Sequence, residues 1–123
     1  MVFCFGSNSA GIHGAGAARV AYEKHGAKYG VGYGFSGNSF AIPTKNKHLR
    51  SLPLDAVNYY VLKFIAFAEQ HPELEFQVTQ IGCGLAGFQA SEIAPMFKNS
   101  PSNCLFDEAW KPWLPDARFW GTF

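Results

Sequence analysis

The sequence predicts an α/β protein: a three-layer α/β/α sandwich built on a mixed, mostly parallel central sheet. Two patterns predict it. Short apolar runs alternate with longer segments whose apolar residues recur at helical spacing, the order of a sheet linked by crossover helices. Two of the apolar runs also end directly in glycine loops, where ligands of open α/β sheets bind at the carboxyl edge. The scale agrees. A chain of 123 residues, 48% hydrophobic, with twelve Phe, five Tyr and three Trp, makes one domain with a sizeable core.

Taken in order, Val2–Phe5 is a buried strand stopped by Gly6-Ser7-Asn8. A glycine turn over residues 11–16 leads into a helix from Ala17 to His25, closed by Gly26. Glycines nearly alternate from Gly30 to Gly37, which weakens any strand there. Ser39–Ile42 is the next strand, ended by Pro43, and residues 44–52 form a polar, basic loop. The strongest helix runs from about Pro53 to Gln70, with Ser51 as its cap and Asp55 in its first turn. Leu54, Val57, Val61, Phe64 and Phe67/Ala68 make its apolar face. Phe76–Ile81 is a strand ending in Gly82-Cys83-Gly84-Leu85-Ala86-Gly87. Ser91–Phe97 is a short helix capped by Ser91, and Cys104–Phe106 is a last strand. Residues 110–123 are an aromatic tail that packs on the body and offers an oligomer contact.

Charge excludes several classes. Ten Lys+Arg against nine Asp+Glu leave a net charge of +1, with no basic excess for a nucleic-acid clamp. Charged residues are 15% of the chain, too few for a disordered tail or a coiled coil. The longest apolar stretch, Tyr59 to Ala68, is half a membrane span and contains Lys63. No basic segment followed by a long apolar run marks a signal peptide. Cys4, Cys83 and Cys104 are odd in number and widely spaced, which predicts reduced thiols in a cytoplasmic protein. No pair of cysteines or histidines has ligand spacing, so neither a metal nor a cofactor is expected.

The first glycine loop joins a strand to a helix N-terminus, where backbone N–H groups are unpaired and the helix dipole is positive. Gly14, Ala15, Gly16 and Ala17 are small enough to let an anion reach them, which favours phosphate or diphosphate. The spacing matches neither the P-loop nor the dinucleotide fingerprint. Tight strand–helix packing would ask for the same small residues. A second loop of this kind on the same sheet edge makes a cradle with two walls, which favours a phosphate-bearing small ligand.

The segments GSNSAGIHGAGAARVA (residues 6–21) and QIGCGLAGF (residues 80–88) resemble the macrodomain superfamily of ADP-ribose-binding modules. The resemblance lies with the branch of the terminal ADP-ribose glycohydrolase and the antitoxins that remove ADP-ribose from DNA. AIPTK (residues 41–45) and the helix after Ser51 fall where that branch has a strand ending near Thr-Lys and a long helix. Short chains of this kind also resemble phage and prophage proteins. The resemblance implies a macrodomain-like fold whose cleft holds ADP-ribose. Ser7, Asn8, Gly11, His13 and Gly14–Ala17 would supply one wall, with Asn8 beside the distal ribose. Gly82, Cys83, Gly84, Leu85, Ala86, Gly87 and Phe88 would cover the diphosphate. Phe106 would lie near the adenine, with Asp107 beside it. Two departures matter: Ala15 stands where the glycohydrolases carry a lysine, and Ala86 where the human enzyme carries an acid.

Other residues have two readings each. His13 is a general acid/base or phosphate contact, or a loop-capping imidazole. Cys83 is a nucleophile, or a small residue filling tight space. Lys45, Lys47, His48 and Arg50 close over phosphates or touch nucleic acid, or form a solvated loop. Asp107 and Glu108 serve ribose hydroxyls or base catalysis, or a strand-end turn. Three functions stay open: a binder of ADP-ribose or a related nucleotide that sequesters a signal, an ADP-ribosyl hydrolase acting on protein, nucleic acid or a metabolite, and a non-catalytic interaction domain. Asn8 and His13 are the catalytic candidates if hydrolysis occurs. Nucleic acid is a partner only where it carries ADP-ribose, and no membrane partner is expected.

Overall fold

A computed structural model describes residues 1–122. Six strands form one sheet in the order β2-β3-β1-β4-β5-β6, with β1 Val2–Asn8, β2 Gly34–Ser36, β3 Ser39–Lys45, β4 Phe76–Val78, β5 Cys104–Asp107 and β6 Arg118–Gly121. All neighbours are parallel except the hairpin of β2 with β3. Among the described residues the α-helices are α1 Gly16–Lys24, α2 Leu54–Gln70 and α3 Ala90–Ile93, with 3-10 turns at Ala94–Phe97 and Glu108–Trp110.

Strand alternation sorts the core into two layers. Phe3 and Phe5 of β1 pack with Ala41 against Ala18 and Ala21 of α1. Val2 and Cys4, with Phe40, Ile42, Phe76 and Val78, face Val57, Val61, Phe64 and Ala68 of α2 on the other side. Fully burying a phenylalanine contributes about 1.5–3 kcal/mol, and Phe40, Phe64, Phe76 and Phe97 join in edge-to-face contacts across this larger layer. Asn103 locks the layers' far end: its Nδ2 donates to the carbonyls of Ala68, His71 and Leu74 where α2 stops.

Several boundaries differ from expectation for local physical reasons. β3 continues through Pro43 because β2 pairs only as far as Ala41. Beyond that point β3 is an edge on that side and tolerates a missing N–H. β4 stops at Val78, where Thr79 turns back and donates from N and Oγ1 to the Cys4 carbonyl. Ser51 does not cap α2. Residues 46–50 close a tight hairpin, in which Asn46 Oδ1 accepts from the N–H groups of His48 and Arg50. Pro53 therefore takes the cap position, and Ser51 Oγ donates to Ala86 O at 2.5 Å. Leu54 is partly exposed at that helix end rather than in the core. α3 is capped by Gln89 in a reciprocal box with Glu92, not by Ser91.

The glycine-rich segment supplies β2, and the aromatic tail supplies β6. Trp110 and Leu114 are buried in the larger layer. Trp120 Nε1 donates to Val78 O at 2.9 Å, tying the tail across β5 to β4.

Candidate ligand-binding cleft

The chain leaves β1 toward β3 on one side and returns from β3 to β4 on the other. The carboxyl end of β1 is therefore a switch point, where neighbouring connections diverge and leave a crevice. A cleft of about 400 Å³ opens there. Its floor is the strand ends: Gly6, Ser7 and Asn8 of β1, Thr44 and Lys45 of β3, and Thr79, Gln80 and Ile81 after β4. One wall is Gly14 to Ala18, and the other is Gly82 with Gly84, Leu85 and Ala86.

The first wall is built to present donors. α1 begins after Ala15, whose backbone is extended and which offers no side-chain cap, and no acidic residue stands in the first turn. The N–H groups at this helix end thus remain available, with the positive dipole end behind them. A Cβ at Gly14 would meet nothing within 4 Å, so the backbone there is open to a ligand. A Cβ at Gly16 would meet Leu85 Cδ1 at 3.9 Å. The second loop thus reaches across toward the helix end. Leu85 itself is 70% exposed.

No Asp, Glu, His or Cys side chain lines the cleft among the described residues, and Lys45 is its one charged lining group. The field therefore favours an anion. Lys47, His48 and Arg50 sit on the exposed hairpin beside it without lining it. Leu49 on that hairpin does line it, held at φ 62°, a left-handed conformation that is uncommon for leucine.

Several expected contacts sit behind the cleft. Asn8 spends both ends of its amide on the loop, with Nδ2 donating to Ile12 O at 2.7 Å and Oδ1 accepting from Ile12 N at 3.1 Å. It lines the cleft while serving as the loop's staple. His13 is 1% exposed, with Nε2 donating to Lys28 O at 2.9 Å. Its ring packs against Phe5 and Tyr29 and does not line the cleft, because the loop turns it into the α1 layer. Gly11 is likewise structural: at φ +71°, a Cβ would lie 2.4 Å from the Gly30 carbonyl carbon.

Cys83, Gly87 and Phe88 also lie outside the lining. Cys83 is half-buried, its Sγ donates to Ile81 O at 3.6 Å, and burial pushes its thiol up. That is the opposite of an activated nucleophile. Phe88 closes over Gly82, whose added Cβ would meet its ring at 3.2 Å. Phe106 is buried between Phe97 and Trp110 and offers no stacking face to the cleft. Its parity with Cys104 on β5 turns both toward the larger core layer. Asp107 is fully buried at the end of that strand, accepting from Ala109 N and from Gln80 Nε2.

Thr44, Leu49, Thr79 and Gln80 also line the cleft, although the sequence carries no ligand signal at them. What marks most of them is position, since each strand's last residues reach the carboxyl edge. A second cavity of about 350 Å³ lies among Phe97, Ser100, Cys104, Trp113 and Arg118, at the opposite ends of β5 and β6. No group of three or more His, Cys, Asp or Glu able to hold a metal occurs among the described residues. No helix there is long and apolar enough to cross a membrane.

No protein-family model and no curated protein matches the chain. A solved structure, Thermosipho africanus DarTG in complex with ADP-ribose, is similar with a TM-score of 0.59 and 17% identity. The match covers 86% of this chain and 38% of that chain, so the chain spans well under half of that protein. The likeness is one of fold, and the fold here is a macrodomain-like α/β/α sandwich with a mixed, mostly parallel sheet.

Proposed function

We propose that the chain binds ADP-ribose, or a nucleotide containing it, in the cleft between residues 14–18 and 82–86. The observation that carries this reading is the uncapped N-terminus of α1 with an open Gly14, facing a second glycine loop across a cleft free of carboxylates. A diphosphate satisfies those N–H groups and the field of Lys45 together. The shared fold with a protein solved in complex with ADP-ribose supports the choice among diphosphates. Sequestration of the nucleotide is the activity this inventory favours over turnover. Ala15 and Ala86 bring no chemistry, and no carboxylate or imidazole lines the cleft to move a proton.

Calorimetric titration of ADP-ribose into the purified chain tests the reading, with one-to-one binding as the expected result. Incubation with ADP-ribosylated protein and DNA then separates binder from hydrolase. Efficient release of ADP-ribose, or an adduct trapped on Lys45, would make the protein an ADP-ribosyl hydrolase.

A further inference from the structure

The geometry points to Gln80, held by Asp107, as the residue that reads a hydrogen-bond donor on the ligand; this rests on the ligand reading above. Most neutral polar side chains in the cleft have their protons committed to the backbone. Ser7 Oγ donates to Gly32 O, Thr44 Oγ1 to Ser7 O at 3.2 Å, and Thr79 Oγ1 to Cys4 O at 2.7 Å. Asn8 is occupied at both ends by Ile12. Gln80 differs. Its Nε2 donates to Asp107 Oδ2 at 3.2 Å, and its Oε1 receives no hydrogen bond among the described residues.

Asp107 makes that orientation obligatory. The residue is fully buried, and a buried carboxylate must collect donors because it can only accept. Ala109 N supplies one at 2.9 Å and Gln80 Nε2 another. Turning the Gln80 amide over would set its oxygen against the carboxylate. Oε1 is therefore held as the acceptor that Gln80 offers to the cleft it lines. Asp107 is the positioning residue behind it.

The cleft is thus polar in two senses. Donors and positive charge gather at the α1 end and Lys45, where phosphate belongs. A phosphate oxygen at Gln80 would face an acceptor with a carboxylate behind it, so the group there must bring a proton: a ribose hydroxyl or the amino group of the base. A site built around a fixed buried acceptor discriminates against analogues lacking the donor.

The test titrates ADP-ribose, inosine diphosphate ribose, and the 2′-deoxy and 2″-deoxy forms of ADP-ribose into the wild-type chain, Gln80→Leu and Asp107→Asn, with thermal unfolding as the fold control. The wild type should bind ADP-ribose and lose about tenfold on the analogue lacking the donor that Gln80 reads. That analogue identifies the source as base amine or ribose hydroxyl. Gln80→Leu should weaken ADP-ribose by a similar factor and bind it and that analogue alike. Asp107→Asn, which lets the amide turn over, should erode the same preference. If the wild type binds ADP-ribose and all analogues equally, or if folded Gln80→Leu keeps both affinity and preference, the role of Gln80 is overturned and the ligand reading stands. If the wild type binds no ADP-ribose, the ligand reading falls and the inference with it.

Discussion

The first glycine loop, residues 9–15, is anchored from behind at residues 11–13. Asn8 staples Ile12, His13 is buried against Phe5 and Tyr29, and Gly11 presses on Gly30. The second, residues 82–88, is held at its ends and at Ala86. Phe88 N donates to Gly82 O, Ser51 Oγ holds Ala86 O, and Leu85 between them stands exposed. Each loop carries one glycine that makes room for packing and another with nothing within 4 Å: Gly11 against Gly14, Gly82 against Gly84. The same residue type therefore does opposite jobs a few positions apart. On the proposed reading, the loop pinned at residues 11–13 presents the donors and the second loop the cover.

The sharpest way to break this contrast is to exchange the two jobs. Gly11→Val adds a side chain at φ +71° with its Cβ 2.4 Å from backbone. It should cost roughly 3 kcal/mol or more, read as a large fall in melting temperature. A variant melting within a degree or two of the wild type would show that the loop is not anchored there. Gly14→Val, by contrast, should leave stability within about 0.5 kcal/mol while abolishing ADP-ribose binding, because its side chain fills the open approach. Gly84→Glu should do the same from the opposite wall, with charge repulsion added. Unchanged affinity in either folded variant moves the ligand elsewhere.

Smaller effects sharpen the picture. Lys45→Ala removes the one charged side chain lining the cleft. It should weaken binding by about tenfold, as expected for a charge-assisted hydrogen bond, and flatten the dependence of affinity on salt. Affinity and salt dependence equal to the wild type's would remove Lys45 from the site. The smallest effect concerns the second loop's thiol. Burial raises Cys83 above the ordinary thiol range, with Cys104 pushed up to about 12 and Cys4 raised well above its usual value. Alkylation of the folded chain at neutral pH should therefore be slower than for a free thiol and accelerate as pH rises through the alkaline range. Rapid single-site modification of Cys83 at pH 7 would instead mark an activated thiolate.

The sandwich was legible because its main strands carry their own apolar runs and α2 its own apolar face. β2 and β6 were not, since Gly34–Ser36 and Arg118–Gly121 carry no strand pattern and are strands only because β3 and β5 pair with them. The cleft's walls were legible from small residues at strand-to-helix turns. Asn8, His13 and Phe106 were less so. Residue type suggests chemistry, but the local backbone decides where a side chain points, and here it turns His13 and Phe106 into the core. Gln80 had the weakest signal of all: a polar residue just before a glycine loop, whose meaning depends on a carboxylate 27 positions away.

Backbone amides followed by heteronuclear NMR during an ADP-ribose titration locate the ligand residue by residue. Large, saturable shifts are expected at Gly14, Ala15, Gly16, Gly84 and Leu85, with Gly11 and Gly32 nearly still because backbone neighbours enclose them. Shifts clustered instead around Ser100, Trp113 and Leu114, at the second cavity, would contradict binding in the cleft, as would a spectrum that ADP-ribose leaves unchanged.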